Sequence, residues 1–143
     1  MRRLVVDASV AIKWIVPEVD ADAALELLPN QLVAPDLLLP ECANSIWKKH
    51  HRGELSSKEA ALAVELLLLV EVEIIPSRPL IAAATRIACR LDHPAYDCFY
   101  LALAVDSGAA YVTADSRLLK LLARKAPDLS QHVRPLHASG GLT

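Results

Sequence analysis

The chain has 143 residues, of which 54% are hydrophobic, and a formal net charge of −2. This length suits one domain, and the longest apolar stretches, at residues 66–70 and 99–105, are shorter than the ~20 residues of a membrane-spanning helix. Asp7 interrupts the apolar N-terminus early, so no secretory signal is predicted. We therefore expect a cytoplasmic protein that does not enter a membrane.

The cysteines and the high apolar content further restrict the class of protein. Cys42, Cys89 and Cys98 form neither a CxxC pair nor a zinc-type spacing, so reduced, buried thiols are expected. The apolar content is high for a domain without a membrane span. It predicts a large core, an oligomer interface or a bound partner. The negative charge does not exclude RNA, because carboxylates grouped around metal ions would leave the rest of the chain net positive.

Short β-branched runs alternate with helical stretches along the whole chain. Ser56 and Glu59 form a capping-box pattern at the start of one helix, and Gly53 and Gly108 end two others. In chain order the pattern predicts a strand over 4–6, helices over 9–14 and from Pro17 to near Pro29, a strand over 32–34, helices over 38–51 and 56–69, a strand over 72–75, helices over 77–91 and 95–107, a strand over 111–113, a helix over 116–125 and an edge strand over 133–136.

Strands that alternate with helices predict an α/β fold, a three-layer sandwich with a four- to five-stranded parallel sheet flanked by helices. We expect a single domain over residues 1–137 and a disordered tail over 138–143. In open α/β sheets, ligands bind beyond the carboxyl ends of the strands. Acids at strand ends are therefore candidate site residues.

Two acids directly follow predicted strands. Asp7 comes after the strand 4–6 and Asp115 comes after the strand 111–113. Each has a nearby hydroxyl residue, Ser9 and Thr113, that can support the same site. Both acids also precede helices, and taken singly each is explained as a helix N-cap.

Two further acids lie early in predicted helices among apolar neighbours. Glu41 and Asp97 are in this setting, and a buried carboxylate is costly unless it is paired or coordinates a metal. Asn44, one turn after Glu41, is a candidate to orient it or a metal-bound water. First-turn acids that favour the helix dipole remain the alternative for both.

Four oxygen-donor acids without a matching His or Cys set favour a hard cation, Mg²⁺ or Mn²⁺, over zinc. One or two such ions at the site suit phosphoryl chemistry, since a pair about 4 Å apart can activate a water and stabilise the leaving oxygen. The predicted catalytic and metal-binding residues are therefore Asp7, Glu41, Asp97 and Asp115, with Ser9, Asn44 and Thr113 in support.

The set resembles a known family. It comprises Val5-Val6-Asp7-Ala8-Ser9, Pro40-Glu41 with Asn44, Tyr96-Asp97 followed by Leu101-Ala102, and Val112-Thr113-Ala114-Asp115. In this order the segments resemble the PIN-domain nucleases, and within them most closely the VapC-type toxins of toxin–antitoxin pairs. The resemblance covers nearly the whole chain.

That resemblance implies a Mg²⁺- or Mn²⁺-dependent endoribonuclease that forms a homodimer and is inhibited by a cognate, VapB-like antitoxin. The family's acids correspond to Asp7, Glu41, Asp97 and Asp115, with Ser9 and Thr113 as supporting hydroxyls. Asp115 is the least secure of the four, because the family's fourth acid varies in its distance from the metal and acts either directly or through water. Neither the RNA target nor the antitoxin follows from the resemblance.

Basic and aromatic residues outside the acids carry two interpretations each. Lys48, Lys49 and Arg52 either complement a helix C-terminus or contact RNA phosphates. Arg117, nearer the predicted metal site, either holds a phosphate or is a solvent-exposed residue. Trp14 and Trp47 favour core or interface packing over base stacking. The apolar helix over 56–69 either faces the core or lines a groove for an antitoxin helix.

Other function classes also fit parts of the pattern. Asp7 at a strand end suits the nucleophile of an aspartyl phosphatase or phosphotransferase, although that class has Asp where this chain has Ser9. A housekeeping PIN nuclease and a non-catalytic, partner-binding scaffold of the same fold are the remaining alternatives.

Overall fold

The computed structural model describes residues 2–136 and contains a five-stranded, wholly parallel sheet. Its spatial order is β3-β2-β1-β4-β5, so β1 is central and β3 and β5 form the edges. The strands are β1 (Arg3–Val6), β2 (Gln31–Pro35), β3 (Val72–Ile75), β4 (Ala110–Thr113) and β5 (Val133–Pro135). The predicted α/β class, the parallel sheet and the edge position of the last strand are confirmed.

Helices flank the sheet. They are α1 (Ala8–Ile15), α2 (Ala21–Leu25), α3 (Leu38–His51), α4 (Ser57–Leu69), α5 (Ile81–Leu91), α6 (Ala95–Ser107), α7 (Ser116–Lys125) and α8 (Pro127–Ser130), with a 3₁₀ turn at Arg78–Leu80. The larger core cluster joins alternate residues of the strands, such as Val5 and Val33, to α3, α5, α6 and α7. A second cluster, including Val6 and Leu32, fills the opposite side of the sheet.

Two predicted helices differ from the observed ones. The helix expected to end near Pro29 ends at Leu25, because the next amides bond three residues back, as those of Leu27 and Leu28 do, and the chain tightens into turns. The helix predicted from residue 77 begins as a 3₁₀ turn around Pro79, and its α-helical part starts at Ile81. The one-turn helix α8 was not predicted. The tail expected to be disordered, 138–143, lies outside the described residues.

The helix α4 begins as predicted, with a complete capping box between Ser56 and Glu59. Its side chains do not wholly face the core: Ala63 is the buried one among them, and Leu68 and Leu69 are 70% and 77% exposed. The core-facing interpretation of this helix is therefore wrong. In the described part of the chain, no helix has the length and apolarity needed to cross a membrane.

The register of the sheet positions the candidate site. Val6 of β1 pairs with Val112 of β4, and both strands run in the same direction. The next residues, Asp7 after β1 and Thr113 at the end of β4, therefore lie side by side at the carboxyl edge of the sheet. The helix α6, buried from Tyr100 to Ala104, packs across β1 and β2 beside that edge.

Truncation of Leu101, which is fully buried in α6, tests this core. We expect Leu101→Ala to lower the free energy of unfolding by about 2–5 kcal/mol, because it leaves a cavity in a packed interior. Leu69→Ala makes the same chemical change at an exposed position and should stay within about 0.5 kcal/mol of wild type. Urea denaturation measures both, and equal losses would contradict the packing described.

Candidate active site

Asp7 is the buried acid of the site, with 7% of its surface exposed. Its Oδ1 accepts hydrogen bonds from the Ser9 hydroxyl (2.5 Å) and from the Val10 amide (3.3 Å). Its Oδ2 accepts from the Tyr111 hydroxyl (2.5 Å) and from the Thr113 hydroxyl (2.6 Å). Four donors thus occupy the four lone-pair directions of one carboxylate.

The position of Asp7 follows from its place in the chain. It ends β1 and is the N-cap of α1, whose first turn contributes the Val10 amide. The cap interpretation of Asp7 is therefore confirmed, and the same carboxylate also lies at the predicted edge of the sheet. The two roles share one geometry, because the start of α1 lies directly at the carboxyl end of β1.

Among residues 2–136, Glu41 and Asp97 each have one polar side-chain partner. Glu41, in the first turn of α3, accepts a hydrogen bond from the Tyr100 hydroxyl at 2.5 Å. Asp97, in the first turn of α6, lies 2.7 Å from Nε2 of His93. Both carboxylates are half-buried.

Three of the four predicted acids, Asp7, Glu41 and Asp97, are close enough for their charges to interact. Burial raises the pKa of Asp7 despite its four hydrogen bonds. Burial also raises the pKa of Glu41, and the negative charges of Asp7 and Asp97 raise it further. Burial raises the pKa of the Cys42 thiol to about 12, and the negative charges of Glu41 and Asp7 contribute to the rise. Cys42 is therefore an unreactive core residue.

Asp115 is linked to this group indirectly. Its Oδ1 accepts from the Arg117 and Leu118 amides at 3.0 and 3.4 Å, so it caps α7 as the alternative interpretation had it. Its own amide donates to the Thr113 hydroxyl (3.1 Å), which in turn donates to Asp7. A hydroxyl therefore separates Asp115 from the central carboxylate.

The Ser9 and Thr113 hydroxyls both contact Asp7. Ser9 Oγ donates to Asp7 and accepts from the Ala114 amide at 3.0 Å, which ties the start of α1 to the end of β4. Ser9 and Thr113 are themselves 3.4 Å apart. Asn44 is exposed, and among residues 2–136 no hydrogen bond joins it to Glu41.

The basic residues predicted to contact RNA differ in their availability. Lys49 is 15% exposed and pairs with Glu18 at 2.7 Å and with Glu54 at 3.7 Å. Its charge is thus balanced inside the protein, together with that of Lys13, which also pairs with Glu18. The remaining three, Lys48, Arg52 and Arg117, are exposed.

Three residues of the site were not predicted: His93, Tyr100 and Tyr111. Tyr111 lies inside a strand and Tyr100 inside an apolar helix, so both have the pattern of core residues. The one available signal is spacing, since His93 precedes Asp97 by one helical turn and Tyr100 follows it by nearly one turn.

The donor set fits a hard cation, because it consists of carboxylate and hydroxyl oxygens. The negative charges of the carboxylates repel one another unless a cation lies between them. Within residues 2–136, no group of three or more His, Cys, Asp or Glu side chains is already arranged to hold a metal ion. Both oxygens of Asp7 accept hydrogen bonds from protein donors. A cation that bound Asp7 would have to replace one of them.

The parallel sheet and the carboxylates at its carboxyl edge point to one class of protein. The PIN domain pattern matches residues 4–125, and the chain belongs to the PIN-domain family, among its VapC-type members. Ribonuclease VapC3 of Pyrobaculum aerophilum is 31% identical over 120 residues, which cover 81% of this chain and 92% of that protein.

Solved structures share the fold at lower identity. A Pyrobaculum aerophilum protein of known crystal structure is similar with a TM-score of 0.70 and 22% identity, over 95% of this chain and 85% of that one. A toxin–antitoxin complex from Klebsiella pneumoniae has a TM-score of 0.62 at 15% identity, over 93% and 97%. The Sarcin-Ricin loop cleaving toxin VapC20 of Mycobacterium tuberculosis has a TM-score of 0.61 at 16% identity, over 79% and 90%.

The raised pKa of Asp7 predicts a pH dependence of stability. A carboxyl group whose pKa is higher in the folded protein than its ordinary 3.8 stabilises the fold below that value and loses this contribution as the pH rises through the folded pKa. In EDTA, wild type should therefore lose unfolding free energy relative to Asp7→Asn as the pH rises from 3.8 towards 7. Chemical denaturation at several pH values measures this, and a constant difference would contradict it.

Proposed function

We propose that the protein is a metal-dependent endoribonuclease and the toxin component of a toxin–antitoxin pair. The observation that carries the proposal is the electrostatic neighbourhood of Asp7, Glu41 and Asp97 at the carboxyl edge of the sheet. The kinship with Ribonuclease VapC3 supports the reaction class, and the structural likeness to toxins of toxin–antitoxin pairs is consistent with the biological role.

The residues proposed to hold Mg²⁺ or Mn²⁺ are Asp7, Glu41 and Asp97, with Asp115 acting through water. One or two bound ions would supply a Lewis acid, an activated water and compensation for the charge of the phosphodiester under attack. Hydrolysis by water leaves 5′-phosphate and 3′-hydroxyl ends. Attack by the RNA 2′-hydroxyl would leave a cyclic phosphate instead.

The protein's own residues contribute orientation and charge. The Ser9 and Thr113 hydroxyls hold both oxygens of Asp7 and join α1 to β4, so the carboxylate cannot rotate freely. Three neighbouring negative charges repel an RNA phosphate unless a cation binds between them, which makes cleavage depend on metal loading. The exposed Lys48, Arg52 and Arg117 are the proposed phosphate contacts.

Asp7 is poorly suited to the phosphatase alternative. That class has a second aspartate where this chain has Ser9, and the Ser9 hydroxyl donates to Asp7 at 2.5 Å. The choice between a toxin and a housekeeping nuclease rests on the neighbouring gene. A small overlapping reading frame for a DNA-binding protein favours the toxin.

The exposed apolar side of α4 is the proposed docking surface for the antitoxin. We define this α4 surface by Leu62, Leu66, Leu68 and Leu69, whose exposed fractions run from 38% to 77%. Beside it, a 470 Å³ groove is lined in part by Trp14, Leu66 and Leu69. An amphipathic antitoxin helix would cover this surface. The other exposed apolar residues, including Trp47 and Ile81, support the homodimer.

Metal dependence and the role of the acids can be tested together. We expect Asp7→Asn and Asp97→Asn each to reduce RNA cleavage by at least about 100-fold, because each removes a charge that holds the cation. EDTA should abolish cleavage, and Mn²⁺ should restore it. Asp106→Asn changes an exposed acid of the same helix as Asp97 and should cleave like wild type.

The assay uses end-labelled RNA with phosphatase mapping of the product termini. Cleavage that survives EDTA, cyclic-phosphate ends, or full activity in both acid variants would each overturn the proposed mechanism.

Charge on the α4 surface should separate partner binding from catalysis. In the double variant Leu68→Glu and Leu69→Glu, we expect loss of the complex with the product of the neighbouring gene, since buried charge opposes docking, but unchanged cleavage by the free protein. Co-purification and light scattering measure both the complex and the dimer. A complex that persists in this variant would move the antitoxin site elsewhere.

A further inference from the structure

Two buried tyrosines lie directly beneath the acids. Tyr100 of α6 is 1% exposed and Tyr111 of β4 is 0% exposed, and they are the largest fully buried side chains among the described residues. Their hydroxyls are the polar tips of otherwise apolar rings, and such tips take a hydrogen-bond partner when buried. Here each takes a different acid of the site: Glu41 and Asp7, both at 2.5 Å.

The two rings are also in contact with each other. Their centroids are 5.6 Å apart and their planes differ by 18°, so they stack. A stacked, buried pair has little freedom to tilt, because a shift of one ring displaces the other. The positions of the two hydroxyls are therefore coupled, and so are the two carboxylates that accept from them.

Both phenols are suited to donate. The Tyr100 hydroxyl donates to Glu41 and the Tyr111 hydroxyl donates to Asp7. A hydrogen bond to a charged acceptor is stronger than one between neutral groups.

Packing alone does not require these hydroxyls. A phenylalanine would fill nearly the same volume in a core that is otherwise apolar around both rings. The two acids depend on the tyrosine hydroxyls to different degrees. Asp7 has three other hydrogen-bond donors, whereas Glu41 is half-buried and accepts from Tyr100 through one of its two oxygens. What the stacked tyrosine pair supplies is a link between Asp7, the acid after β1, and Glu41, the acid on α3.

We propose that Tyr100 and Tyr111 are positioning residues, a stacked pair that sets the orientation and spacing of the Glu41 and Asp7 carboxylates for a divalent cation. The proposal rests on the metal-dependent function proposed above. Neither tyrosine is assigned contact with RNA or with the cation; each acts through the acid that it holds.

The test measures Mn²⁺ binding to the whole chain by calorimetry. We expect Tyr100→Phe and Tyr111→Phe each to weaken Mn²⁺ binding by about 10- to 100-fold, the usual effect of removing a hydrogen bond to a metal ligand. Tyr96→Phe is the matched control, since it removes the same hydroxyl at a position that is 65% exposed, and its affinity should equal that of wild type.

The double variant tests the coupling. Because the rings share one stack, loosening one already loosens the other, and the loss in the double variant should be smaller than the product of the single losses. A loss equal to the product would mean that the tyrosines act separately, and it would overturn the paired role.

The outcomes distinguish this proposal from the function on which it rests. Wild type that binds Mn²⁺ together with Phe variants of unchanged affinity would overturn the positioning role and leave the nuclease proposal intact. Wild type that binds no Mn²⁺ would overturn both. Thermal unfolding without metal checks that each variant is folded, and Tyr100→Phe, whose acceptor is only half-buried, carries the test if Tyr111→Phe does not fold.

Discussion

The burial of one carboxylate, that of Asp7, is the constraint on which the rest of the site depends. An ionised acid removed from water costs several kcal/mol unless hydrogen bonds replace its hydration. The donors come from the turn into α1 and from β4, so the central strand, its neighbour and the first helix must all be in place before Asp7 is satisfied. The fold and the site are therefore held by the same interactions.

The neighbouring charges add a second constraint. Burial raises the pKa of Glu41, and the negative charges of Asp7 and Asp97 raise it further. His93, 2.7 Å from Asp97, is a basic side chain beside these acids. Elsewhere the protein balances its charges internally, as Lys13 and Lys49 do around Glu18. Neighbouring carboxylates lower the stability of the metal-free protein. Binding sites commonly have lower stability for the sake of function.

The apolar surplus of the composition divides between the interior and the surface. The strands and α6 account for much of the core, whereas α4 buries little of its apolar surface and leaves Leu68 and Leu69 open. A largely apolar helix that is covered on one side only has an apolar face left exposed. This is the physical basis for proposing α4, rather than the acidic edge, as the partner-binding surface.

Local patterns determined much of this protein: the alternation of strands and helices, the capping box at Ser56, and the placement of Asp7 and Asp115 after strands all follow from short stretches of sequence. The shorter α2 and the 3₁₀ start of α5 did not, since helix ends depend on turn geometry as well as on periodicity. Only the tertiary structure decided which acids share a neighbourhood and which residues hold them. Tyr100 and Tyr111 look like core residues in sequence because they are core residues; their hydroxyls meet Glu41 and Asp7 through packing between segments up to 104 residues apart, which no local pattern encodes.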